Sequence, residues 1–176
     1  MNSYDAHLLI RPAVMSERHA LEALQRRASL NNPGDRDALL ANPDAIELSP
    51  DHIAAGRVFI AERAGAIVGF SAVVPRDGRD MDLDALFVEP HLWRRGIGRL
   101  LVEHSIVFAR AQGSAALHVV GNPHAEEFYR ACGFEMLGTV PTRFGVGLSF
   151  RRVLSSDVCR RSPELFEPAP VVERHS

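Results

Sequence analysis

The stretch Leu86-Phe87-Val88-Glu89-Pro90-His91-Leu92-Trp93-Arg94-Arg95-Gly96-Ile97-Gly98-Arg99-Leu100-Leu101 decides how this chain is read. Leu86 to Val88 is the apolar end of a buried strand, and Glu89 to Leu92 is a short turn. From Gly98 onward apolar residues recur at helical spacing. The first N–H groups of a helix lack intrahelical partners, and the helix dipole adds partial positive charge there. A helix start surrounded by glycines and arginines therefore suits an anion, above all a diphosphate. Gly96 and Gly98 let the backbone approach phosphate oxygens with no Cβ in the way.

Three phosphate-binding patterns compete for this loop. A P-loop requires Gly-x-x-x-x-Gly-Lys-Ser/Thr, and the chain contains no lysine. A dinucleotide fingerprint needs a third glycine where Leu101 stands, and an acidic residue closing the next strand. That strand ends instead near Val119-Val120-Gly121-Asn122. The third pattern is a strand ending in Val-x-Pro, here Val88-Glu89-Pro90, followed by Gln/Arg-x-x-Gly-x-Gly/Ala. Trp93-Arg94-Arg95-Gly96-Ile97-Gly98 resembles this acyl-CoA pyrophosphate loop of the GNAT superfamily of N-acyltransferases, with Trp93 in place of Gln or Arg. Downstream, Asn122-Pro-His-Ala125-Glu-Glu-Phe128-Tyr129-Arg-Ala-Cys-Gly133-Phe134 resembles the same family's Asn-x-x-Ala-x-x-Phe-Tyr-x-x-x-Gly-Phe signature. Two matches in the expected order make a chance likeness improbable.

The remaining segments suit that resemblance. Residues 7–14 read as a first strand, and Ser16 as an N-cap for a helix through Leu21, Leu24 and Ala28. Asn31 to Asp35 breaks that helix, a short one follows through Ala38 to Leu40, and a loop carries Pro43, Asp44, Ser49 and Pro50. Strands are expected at 58–62, 67–74 and 81–88, with a tight turn at Arg63-Ala64-Gly65. A helix over 98–112, a strand over 117–120, a helix over 123–132 and a hairpin of 134–140 with 146–154 complete the pattern. The resemblance implies an α+β GNAT fold over residues 7–154: a mixed, mostly antiparallel twisted sheet with helices on both faces. It also implies a β-bulge wedge for the cofactor. From Ser155 to Ser176 periodicity dissolves among prolines, and a flexible tail is expected.

Bulk composition excludes several classes. The 176 residues suit one domain, with 46% hydrophobic and 24% charged residues, an ordinary globular balance. No apolar run approaches the roughly 20 residues of a membrane span, and a net charge of −2 offers no footprint for nucleic acid. The first residues lack signal-peptide character, so a cytoplasmic protein with no membrane association is expected. Cys132 and Cys159 form neither a disulfide framework nor a metal site, and no metal is expected. All 20 basic residues are arginines, so every cationic position presents a guanidinium fork.

The resemblance further implies transfer of an acetyl group from acetyl-CoA, as co-substrate, to a primary amine of a small molecule or peptide. Backbone groups of Leu86, Phe87 and Val88 would hold the pantetheine arm as a strand partner, and an N–H in the wedge would polarise the thioester carbonyl. Gly96, Ile97 and Gly98 would hold the diphosphate through backbone amides, with Arg94, Arg95 and Arg99 raising the local potential. Tyr129 falls at the family's general-acid position for the departing thiolate. Asn122 is either a pantetheine ligand or a helix N-cap ahead of Pro123. An alkyl amine with a pKa of about 10 is roughly 0.1% neutral at pH 7, so a base or water relay is needed. Asp82 and Asp84, sharing one face under strand alternation, are the candidates for it. Glu89, His118 and His124 are weaker ones. Acceptor contacts are expected from Asn31, Asn32 and Asp35 and from Thr142, Arg143 and Phe144. Sheet edges in this fold often pair between subunits, which admits a homodimer. A non-catalytic acyl-CoA-binding module is the alternative, and a nucleotide-binding domain is disfavoured by the absent lysine and glycine.

Overall fold

The structure is a computed structural model that describes residues 7–154. The tail from Ser155, and Cys159 within it, lie outside the described residues. Seven strands form one sheet in the order β1-β2-β3-β4-β5-β7-β6. They are β1 (Leu8–Pro12), β2 (Val58–Arg63), β3 (Ala66–Pro75), β4 (Met81–Val88), β5 (Ala116–Gly121), β6 (Glu135–Thr142) and β7 (Gly145–Val153). The helices are α1 (Arg18–Asn31), α2 (Arg36–Ala41), α3 (Pro50–Ala54), α4 (Ile97–Ala111) and α5 (Glu126–Ala131). All strand pairings are antiparallel except β4 with β5, which run parallel because α4 carries the chain across between them.

Local chemistry sets these elements. Ala64 and Gly65 both take positive φ, the geometry of the two-residue turn whose twist matches a hairpin, and this joins β2 to β3. Strand alternation divides neighbours between faces: Val58 and Ile60 join one core cluster, while Phe59 joins the other. The first cluster packs under Leu21 and Leu24 of α1 and Ile53 of α3. The second packs under Val102, Ile106 and Ala109 of α4 and Tyr129 and Cys132 of α5. Helices thus cover both faces. Leu101 and Val102 are fully buried, and each such burial is worth roughly 1.5–3 kcal/mol. Ser105, buried among them, bonds the Leu101 carbonyl at 2.8 Å and Ser71 Oγ at 3.1 Å, so its polarity is satisfied.

The helical segments depart from expectation in places. Ser16 does not cap α1: it lies inside a 3-10 turn over Met15–Glu17. There the Glu17 carboxylate accepts from the Val14 N–H at 2.9 Å, so an acid three residues on does the capping. The segment expected as a loop holds α3, which starts with Pro50 at its first turn, a position where the missing N–H costs nothing. The 123–132 segment is split into a 3-10 turn over Pro123–Ala125 and then α5.

Candidate active site

The site begins as a fault in β4. Val73 pairs with Leu83 and Ala72 with Ala85, which leaves Asp84 as an extra, unpaired residue. The bulge reverses the strand's alternation. Leu83 packs in the cluster under α4, whereas Ala85, two residues on, packs in the cluster under α1. Beyond the bulge Leu86 and Val88 turn toward the α4 side and Phe87 toward the α1 side. The strand also leaves its neighbour. β4 and β5 are paired only at Met81↔Leu117 and Asp82↔His118, so past Asp82 the strands splay into a wedge. In that wedge one edge of β4 stays bonded to β3 through Gly69↔Val88, while the other lines an open cleft of about 710 Å³.

At its far end the wedge meets the start of α4. Trp93 Nε1 donates to the Val88 carbonyl at 2.8 Å and closes the turn between strand and loop. Arg94 and Gly96 both take positive φ, and Gly96 caps the helix with no side-chain hydrogen bond. The N–H groups of Ile97, Gly98 and Arg99 precede the first intrahelical bond, made by Leu100 to Gly96 at 3.1 Å. The Ile97 side chain is buried with Leu92 and Leu101, so only its backbone faces the cleft. A Cβ on Gly98 would sit 3.4 Å from the Phe128 ring, which leaves that backbone close to the cleft floor. Arg94 and Arg99 line the cleft; Arg95 is exposed and does not. Arg99 pairs with Glu103 at 3.1 Å.

Tyr129 forms part of the opposite wall. Its ring packs edge-on against Phe128 and Phe134 and tilted against Phe150. It lies on Gly121, where a Cβ would come within 2.7 Å of it. The hydroxyl has no hydrogen-bond partner among the described residues, and the residue lines the cleft. Burial, with smaller contributions from Cys132 and Asp35, pushes the phenol well above its ordinary range, so it remains a proton carrier. Asn122 uses both ends of its amide within the protein. Its oxygen accepts from the His124 N–H at 2.9 Å, capping the turn before α5, and its nitrogen donates to Asp35 Oδ1 at 2.9 Å. This geometry realises the cap reading of Asn122, and the residue also lines the cleft.

Of the acidic candidates, Asp84 lines the cleft and makes no bond or ion pair among the described residues. Asp82 does not line it; its carboxylate is held by Arg76 at 2.9 Å, at the turn before β4. Nor does Glu89, which accepts two bonds from the Arg27 guanidinium, one at 3.2 Å, and raises the Arg27 pKa by doing so. His118 is bonded to Asp80 at 2.8 Å, and His124 lies outside the cleft. Of the expected acceptor contacts, Asn32, Asp35 and Phe144 line the cleft, while Asn31, Thr142 and Arg143 do not. Gln25 and Ser29 also line it. Their i, i+4 spacing beside the Leu21, Leu24, Ala28 stripe was the available signal, two polar residues bordering the buried face of α1.

No curated protein matches the chain significantly. Among solved structures, a ribosomal-protein-alanine N-acetyltransferase from Brucella melitensis is 26% identical and superposes with a TM-score of 0.63, over 84% of this chain and all of that one (100%). A GCN5-related N-acetyltransferase from Rhodopseudomonas palustris is 21% identical, with a TM-score of 0.66 over 84% of this chain and 96% of that one. PaiA N-acetyltransferase from Thermoplasma acidophilum, solved with coenzyme A, is 14% identical, with a TM-score of 0.66 over 83% of this chain and 98% of that one. These likenesses extend over most of the chain and show the fold. The acetyltransferase (GNAT) family model matches residues 20–134, from α1 through the wedge to the residue before β6, and the chain belongs to that family.

Proposed function

We propose that this chain is an acetyl-CoA-dependent N-acetyltransferase that joins an acetyl group to a primary amine by direct attack. The observation that carries the reading is the open edge of β4 beyond Asp82, which runs straight to the unsatisfied N–H groups that start α4. A long ligand with a diphosphate at one end and an amide-bearing arm at the other fits this arrangement. Backbone groups of Leu86, Phe87 and Val88 would bond the arm as an added strand, and those of Gly96, Ile97 and Gly98 the diphosphate. Arg94 and Arg99 supply positive potential beside it, and Arg95 adds to the field from the surface. The coenzyme supplies an activated acyl group, and everything else falls to the chain's own residues.

Asp84 is positioned to hold the incoming ammonium and take its proton, directly or through water. The neutral nitrogen then attacks the thioester carbonyl and gives up a second proton to water, the carbon–sulfur bond breaks, and the electron pair leaves on sulfur. An N–H of the wedge would bear the charge developing on the carbonyl oxygen. Tyr129 gives its hydroxyl proton to the sulfur and regains one from solvent. A thiol has a pKa of about 8.5, so the leaving group is already fair and Tyr129 assists without being indispensable.

Thiol release from acetyl-CoA, followed colorimetrically with a panel of primary amines, tests the reading. Amine-dependent release that Asp84→Asn slows by about tenfold to a thousandfold is expected. Tight coenzyme binding with no release for any amine would favour the non-catalytic module instead.

A further inference from the structure

The acceptor side of the cleft has an unusual balance of charge. On the α1–α2 side it presents the apolar Ala38, Leu39, Ala45 and Ile46 and the uncharged Gln25, Ser29 and Asn32, and Phe87 and Phe144 line it as well. The carboxylates that line the cleft among the described residues are Asp84, on the bulge, and Asp35, on the loop between α1 and α2. Its cations among those residues are Arg94 and Arg99, both at the start of α4 or in the turn before it, where the diphosphate would lie. Asp35 is held in place from below. Its Oδ1 accepts from Asn122 at 2.9 Å, and Asn122 is itself fixed by the His124 N–H. Asn122 directly follows Gly121, against which the Tyr129 ring lies, so the tie sets Asp35 near the reacting end of the cleft.

Resting on the transferase reading above, we infer that the acceptor is a small monoamine with an apolar body and no acid group, and that Asp35 selects it. The Asp35 charge attracts an ammonium and repels a carboxylate. A carboxylate on the acceptor would meet uncharged walls, with no cation on the acceptor side among the described residues. That placement is costly because a buried charge needs a partner. A triamine such as spermidine fares little better, since its third ammonium has no carboxylate left once Asp84 and Asp35 are engaged. Asp35 is then a specificity residue, and Asn122 a positioning residue that acts through it.

The test compares 2-phenylethylamine, phenylalanine (the same skeleton with a carboxylate added) and spermidine, by thiol release from acetyl-CoA with the full-length chain. The expected result is a kcat/KM for 2-phenylethylamine at least about tenfold above either of the others. Asp35→Asn can still accept the Asn122 hydrogen bond while losing its charge. It should raise KM for 2-phenylethylamine about tenfold, narrow the gap to phenylalanine, and leave coenzyme A affinity unchanged by calorimetry. A purely structural role for Asp35 would instead be rescued by Asn, and that outcome overturns the inference. Release that favours phenylalanine or spermidine overturns it alone, with the transferase reading intact. Release with none of the three overturns the inference, and it overturns the transferase reading as well only if the wider panel of primary amines also gives none despite coenzyme binding.

Discussion

Asn122 Nδ2 donates to Asp35 Oδ1 at 2.9 Å, tying the residue after β5 to the loop between α1 and α2 across 87 positions of sequence. The bond forms at a close approach, for a Cβ on Gly34 would stand 1.9 Å from Asn122 Nδ2. Gly34→Ala must therefore push the amide aside, losing the tie and disturbing the cap on His124. A stability loss of about 1–2 kcal/mol is expected in denaturant unfolding. The KM for the amine should rise while coenzyme affinity holds, because Gly34 is remote in sequence from the loop that starts α4.

Trp93 stands where related loops carry Gln or Arg, and its role here is internal: the indole N–H holds the Val88 carbonyl at 2.8 Å. Trp93→Phe keeps the ring and removes that bond, worth about 0.5–1.5 kcal/mol. If the bond preorganises the loop for phosphate, the coenzyme dissociation constant should rise about two- to tenfold in calorimetry. The loss of stability in denaturant unfolding should not exceed what that bond is worth, since the ring is kept and Trp93 is exposed.

Tyr129→Phe deletes a hydroxyl that no described residue bonds, so the fold should be unaffected and turnover should fall about tenfold to a thousandfold. The pH profile follows from burial of the phenol. Its pKa is raised, and the protonated form is the one that acts, so Tyr129 imposes no loss of kcat/KM below about pH 10. Over the same range kcat/KM should climb with pH as the amine loses its proton. In linkage terms, the stability that comes from keeping this phenol neutral is complete below about pH 10 and is lost only above it.

How far the chain could be read before folding depended on where the information lies. The two motifs placed β4, α4 and α5, because glycines at Gly96 and Gly98 and the Phe128-Tyr129 pair are local signals. Period-two alternation put Asp82 and Asp84 on one strand face as alternative candidates, and tertiary pairing gives them different surroundings. A bulge inserts Asp84 into the cleft, and Arg76 takes Asp82, and neither is visible in strand alternation. Arg95 looked equivalent to Arg94 in sequence. The left-handed backbone at Arg94 is part of the turn that sends the two side chains to different surroundings. Gln25, Ser29 and Ile46 were missed as cleft residues because contact across helices is not local. Asp35 belongs to the acceptor segment by its place in the chain order, but its orientation by Asn122 depends on a contact that local sequence does not carry.

His104 sits edge-on against the Phe59 ring, at 4.6 Å between centroids, and its burial lowers its pKa below 6.5. As pH falls through that value the unfolded chain takes up a proton that the folded chain refuses. Stability is therefore full above about pH 6.5 and is lost below it. Glu17 acts lower, since the Arg11 hydrogen bond depresses its carboxyl below 4.5 and its contribution is lost only as that pH is passed. Urea midpoints at pH 7.5 and 5.5 should fall for the wild-type chain and fall less for His104→Phe. An equal fall in both would remove His104 as the cause.

Calorimetric titration of coenzyme A against pantetheine, which has the thiol arm without the diphosphate, bears most directly on the loop at Gly96 to Gly98. Coenzyme A should bind with a Kd in the range of about 1 μM to 1 mM. Pantetheine should bind at least about a hundredfold more weakly, since it cannot reach the N–H groups that start α4. Equal affinity for the two, or no heat from coenzyme A at all, would contradict the account.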